Sequence, residues 1–167
     1  ITSFTRFINK NCYLILKTNN YNTNYMVKKI DYFSLFARIA IALGFLSAVA
    51  DRLGLWTPLL GSENVVWGNM KSFTAYTGVL LPCVPKILLP LFAWAATIAE
   101  IILGILLLIG FQKRLVALLS GILLLTFAFS MLFSLNIKAP LDYSVFAATA
   151  CAFLLYKENG TKISPAS

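Results

Sequence analysis

Glu100 stands inside an otherwise uncharged run from Ile87 to Gln112. A carboxyl group in such a run can hold a polar atom of a ligand or carry a proton, and at bilayer mid-depth it persists only with a partner or a role. Arg38 is the partner the sequence offers: it lies in a second apolar run, Tyr32 to Ala50, and no other basic residue sits so far inside one. At ~1.5 Å per helical residue Glu100 is ~15 Å from Gly110 and Arg38 ~9 Å from Tyr32, a gap that two long side chains can close. A pair of this kind serves either as a device for helix register or as an intramembrane polar site for a ligand or proton. A second polar group is expected at the outer end, where Asp51 and Arg52 leave the first run and Lys138, Asp142 and Ser144 surround a turn. Charges at such an interface are commonly solvated and without chemistry.

Other chemistries find no residues. The sequence has no His, so haem ligation and most metal sites are not expected, and no Gly-rich dinucleotide fingerprint is present. Cys12, Cys83 and Cys151 form no Cys-x-x-Cys and fall at different depths, which disfavours a disulfide. No metal and no intrinsic redox cofactor is encoded by these residues.

The elements that position Glu100 and Arg38 follow from composition. Hydrophobic residues make up 59% and charged residues 12% of the chain, with a mean hydropathy of +0.81. These values mark an integral membrane protein. Four apolar segments, near 33–53, 87–110, 115–135 and 141–156, each approach the length that spans ~30 Å of hydrocarbon as a helix. The fourth is shortest, with about 14 uncharged residues between Asp142 and Lys157, or ~21 Å of helix. Continuous rather than alternating runs exclude a β-barrel. The first run has no cleavage site after it and reads as a retained span.

Four spans place Arg6, Lys10, Lys17, Lys28, Lys29, Lys113, Arg114, Lys157 and Lys162 on one side, and Arg52, Lys71, Lys86 and Lys138 on the other. That asymmetry puts both termini in the cytoplasm. The net charge of +8 is therefore topological, with attraction to anionic membrane lipids, and is not a nucleic-acid footprint.

Residues 1–25, rich in Asn, Thr and Tyr, read as a poorly ordered tail or as an upstream extension of the reading frame before Met26. Residues 26–157 form the membrane domain and 158–167 a short tail. In the outer loop, about 54–86, Trp67, Met70, Phe73, Tyr76 and Leu80 recur at helical spacing and predict an amphipathic helix in the outer interface, an anchor or a lid, ended by Pro82 and Pro85. Small residues predict close packing faces: Ala40, Gly44 and Ala48; Ala93, Ala96, Thr97 and Gly104, on a face shared with Glu100; Ala117 and Gly121; Ser144, Ala148 and Ala152. Short links at 111–114 and 136–140 imply an up-down four-transmembrane-helix bundle, and nothing in it opposes a homo-oligomer.

The stretches Arg38-Ile-Ala-Ile-Ala-Leu-Gly44-Phe45-Leu46 and Glu100-Ile-Ile-Leu-Gly104, continuing through Gly110 to Arg114 and Ala117, resemble the DoxX family. These are small four-helix membrane proteins related to the DoxD subunit of thiosulfate:quinone oxidoreductase. The likeness covers about 31–156, and Lys138-Ala-Pro-Leu-Asp142-Tyr-Ser144 resembles a segment found in a subset of them. It implies a bacterial cytoplasmic (inner) membrane protein serving a quinone- or thiol-linked oxidoreductase, with a bound quinone and a soluble or membrane partner holding the redox centre. Two other readings stay open from the residues themselves: a proton-coupled or small-solute transporter, and a non-catalytic assembly scaffold. Whether the chain is itself an enzyme is left open by all three.

Overall fold

The computed structural model describes residues 32–160. The chain divides into two units, Ile1–Phe36 and Ala37–Ser167; in the first, only the opening of a helix, 32–36, belongs to the described residues. The expected extension over 1–25 and the tail beyond 160 lie outside them.

Every regular element among the described residues is helical: α1 (Tyr32–Arg52), α2 (Thr57–Leu60), α3 (Met70–Leu80), α4 (Leu89–Ile109), α5 (Lys113–Ser134), α6 (Lys138–Asp142) and α7 (Val145–Gly160), with 3-10 turns at Ser62–Asn64 and Lys86–Leu88. Three are long and apolar enough to cross a membrane: α1, α5, and α4 together with the turn before it. Only 28%, 28% and 33% of their most apolar windows are buried inside the chain. Most of their apolar surface therefore has no protein cover, as expected of helices that face hydrocarbon.

The boundaries have local causes. Pro90 occupies the first turn of α4, where a missing N–H costs nothing. Gly110 ends α4 in the left-handed region at φ +78°, and the N–H groups of Gly110 and Phe111 both donate to the Leu106 carbonyl. Asn69 caps α3 by accepting from the Ser72 N–H at 2.9 Å. Two expectations change near the last turn. The link at 136–140 is partly helical, because Lys138–Asp142 forms α6. The final helix then starts at Val145 rather than Leu141, because Ser144 takes φ +53° and breaks the run. At 16 residues α7 is shorter than the three candidate spans.

The core sits at the end where α4 turns into α5. There Ile41 and Phe45 of α1, Leu103 and Leu107 of α4, Val116 and Ala117 of α5, and Ala152 and Leu155 of α7 pack into one cluster. α5 and α7 lie closely against each other: a Cβ added at Gly121 would come within 2.7 Å of the Phe153 ring. Beyond this core, toward the far end, the helices part around a cavity of about 950 Å³. α3 packs on both α4 and α5 there, burying Phe73, Thr77 and Leu80, and Ser134 Oγ donates to the Leu80 carbonyl at 2.6 Å.

Candidate functional site

The partner of Glu100 is Arg52, not Arg38. Arg52 closes α1 and donates through both terminal nitrogens to the carboxylate, Nη1 to Oε2 at 2.8 Å and Nη2 to Oε1 at 3.0 Å. Their exposures are 4% and 2%, so this is a fully buried bidentate ion pair, a geometry whose two charge-assisted bonds are about twice as strong as neutral ones. Nη1 also donates to Thr97 Oγ1 at 3.3 Å, and that hydroxyl in turn donates to the Ala93 carbonyl at 2.8 Å. The guanidinium stacks over Phe73, 3.7 Å from the ring centroid, with Trp67 at 5.2 Å. Cation–π contacts in a desolvated site contribute ~2 kcal/mol.

The neighbouring residue builds the aromatic wall. Asp51 accepts the backbone N–H groups of Val66 and Trp67 on Oδ2, at 3.2 and 3.1 Å, and of Gly68 on Oδ1 at 3.1 Å. This gathers the loop against the end of α1 and sets Trp67 beside Arg52. Gly54 and Gly68 allow the approach: both have positive φ, and a Cβ on Gly54 would lie 2.9 Å from the Gly68 carbonyl oxygen.

Arg38 does different work. Its Nε and Nη2 donate to the Leu107 carbonyl at 3.2 and 2.6 Å, one of the carbonyls a helix leaves unpaired in its last turn. A cation at the negative end of α4 is favourable. Gly110 makes room for it, since a Cβ there would sit 2.5 Å from Nη2. The expected Arg38–Glu100 pair is replaced by two separate contacts, one at each end of the α1–α4 interface.

The other expected residues do not form one cluster. Lys138 and Asp142 make an ion pair with each other on the surface of α6, at 77% and 56% exposure, where such pairs contribute little. Ser144 is exposed in the link before α7. Only Arg52 of that group enters the buried site.

Arg52 and Glu100 lie on the wall of the cavity, together with Tyr76 and Tyr143. Burial, with Tyr143 nearby, pushes the Tyr76 phenol above its ordinary value, which keeps a neutral hydroxyl on this wall. Elsewhere the lining is mainly apolar, with the small residues Gly44, Ala48, Ala96 and Ala148 beside large ones such as Phe92 and Phe127. The expected packing stripe on α1 therefore borders open space: a Cβ at Gly44 would meet nothing within 4 Å. Arg52 Nε is buried with no hydrogen-bond partner among the described residues. Because Nη1 and Nη2 both engage Glu100, the remaining donor edge of the planar guanidinium is unused. The volume falls within the roughly 300–1,000 Å³ typical of small-molecule sites.

The chain matches no protein-family model, no curated protein and no solved structure.

Glu100 is legible in the sequence, and its true partner has a sequence signal as well. Helical side chains lean toward the N-terminus of their helix. From the last residue of α1 a long side chain leans back toward the middle of the bundle, whereas Arg38, near the start of the same helix, leans away from the middle and toward Gly110. Cα positions alone give the opposite order. The aromatic neighbours Trp67 and Phe73 were visible as part of an apolar periodicity, but their position beside a cation depends on the long-range contacts of Asp51.

Proposed function

We propose that this chain is a multi-pass protein of the bacterial cytoplasmic membrane, of DoxX-like type, that holds a neutral lipophilic carbonyl compound such as a quinone for a quinone- or thiol-linked oxidoreductase. In this reading α1, α4, α5 and α7 are four spans with both termini cytoplasmic, and α3 lies in the outer interface over the cavity. The redox centre belongs to a partner, since the sequence has neither His nor Cys-x-x-Cys.

One observation carries the reading: an apolar cavity of about 950 Å³ with the buried Arg52–Glu100 pair on its wall. The pair is neutral overall, and an apolar enclosure penalises a charged guest by several kcal/mol. A neutral ring compound loses little on entry. Tyr76 or Tyr143 on the cavity wall offers a hydroxyl to its carbonyl oxygen. Glu100 is placed to exchange a proton if the guest is reduced, the electrons coming from the partner.

The test is extraction of lipid-soluble compounds from protein isolated in mild detergent, followed by titration of the stripped protein with a short-chain quinone, read by Trp fluorescence. Binding is expected, and Gly44→Leu should weaken it at least tenfold while leaving the helical content unchanged. Failure of the unaltered protein to bind, with no quinone recovered on isolation, would leave the cavity as a packing feature and favour a scaffold role.

A further inference from the structure

A second cleft, of about 540 Å³, opens at the other end of the bundle and is lined by Gln112, Lys113, Arg114, Leu115, Leu118 and Tyr156. It shares no residue with the lining of the Arg52 cavity. Two of its six residues are cations and none is acidic. Arg114 is held by α7 without being neutralised: its guanidinium lies 4.9 Å from the Tyr156 ring centroid and Nη2 donates to the Tyr156 hydroxyl at 3.2 Å. Neither Arg114 nor Lys113 forms an ion pair among the described residues. A cation already fixed in place loses less freedom when it binds an anion. Below the two charges the cleft is apolar, and the outward face of α5 continues it with Leu115, Leu119 and Ile122, at 49%, 43% and 48% exposure.

We propose that this cleft binds an anionic phospholipid, with the phosphate between Lys113 and Arg114 and an acyl chain running down Leu115, Leu118 and Leu119. The proposal needs α5 to lie in a bilayer but is independent of what occupies the Arg52 cavity. The order of features fits: charges at the first turn of α5, where a spanning helix meets the headgroups, and leucines one and two turns deeper, where chains begin. A soluble anion would use the charges and leave the leucines idle. A zwitterionic lipid brings its own ammonium beside the phosphate and gains less from two fixed cations. Basic pockets at the ends of spanning helices commonly recognise anionic headgroups, each cation contributing about fivefold in retention, or about thirtyfold for two.

The full chain, isolated in mild detergent and exchanged into equal phosphatidylglycerol and phosphatidylcholine, would be examined by native mass spectrometry. Selective retention of phosphatidylglycerol, on the order of thirtyfold, is expected. Lys113→Gln with Arg114→Gln should reduce the selectivity to about twofold, while Lys157→Gln, an exposed lysine outside the cleft, should leave it unchanged. Equal retention of the two lipids by the unaltered chain overturns the proposal, and that comparison needs no variant to fold. An equal loss in Lys157→Gln overturns it in favour of diffuse attraction. Displacement of the lipid by millimolar glycerol phosphate overturns it in favour of a soluble anion.

Discussion

Replacing Arg52 by Met removes both bonds to Glu100 and leaves a carboxylate at 2% exposure with no cation. Breaking a buried pair from one side costs about 3–5 kcal/mol, because the remaining charge keeps its desolvation penalty without compensation. Replacing both members, Arg52→Met with Glu100→Leu, removes the penalty with the pair and is expected to fall within about 1 kcal/mol of the starting stability, since apolar substitutes of similar volume are often neutral. The double-mutant coupling between positions 52 and 100 should therefore be at least about 2 kcal/mol. Arg38→Met loses two donors to one carbonyl, a cost of about 1.5–3 kcal/mol, but shares no partner with Glu100, so that pair should be additive within about 0.5 kcal/mol. The assay is reversible unfolding in mixed micelles followed by circular dichroism, which avoids the change that losing Arg52 would itself make to Trp67 emission. The reasoning is refuted if the coupling of Arg38 with Glu100 equals or exceeds that of Arg52 with Glu100, or if the latter falls below about 0.5 kcal/mol.

Gly110→Ala places a methyl group 2.5 Å from Arg38 Nη2 at a residue with φ +78°, and is expected to cost about 1–3 kcal/mol in the same unfolding measurement. Asp51→Ala frees the three N–H groups of Val66, Trp67 and Gly68; it should expose the 61–68 segment to limited proteolysis and red-shift the Trp67 emission, measured against the other two Trp residues replaced by Phe. Its control is Lys138→Ala, which breaks only an exposed ion pair and should leave both readouts unchanged.

Much of this architecture is legible in the residues alone. The long apolar runs correspond to α1, α4 and α5, and the periodicity from Met70 to Leu80 to α3. The site is less so, for two physical reasons. First, an arginine side chain covers more than a turn of helix, so its lean, and not its backbone depth, decides which end it serves. Second, a small residue has two opposite uses that look identical in one dimension. Gly121 is small because Phe153 lies against it, whereas Gly44 is small and faces a void. The difference lies in the opposing helix, which no local pattern reports. The same holds for Asp51 and Arg52, adjacent in sequence, one turned to the loop and the other into the bundle.

The two arginines of α1 also fasten it to α4 at two separate points. With Arg38 tied to the end of α4 at one extremity and Arg52 to its midpoint at the other, α1 and α4 are stitched into a single stiff beam. α5 and α7 form a second beam, and the chain between the two is the brief Gly110–Gln112 corner. At the α3 end the two are joined a second time, since α3 packs on both α4 and α5 and Ser134 Oγ holds the Leu80 carbonyl, so α3 is the wall that a guest entering the cavity from that side must pass.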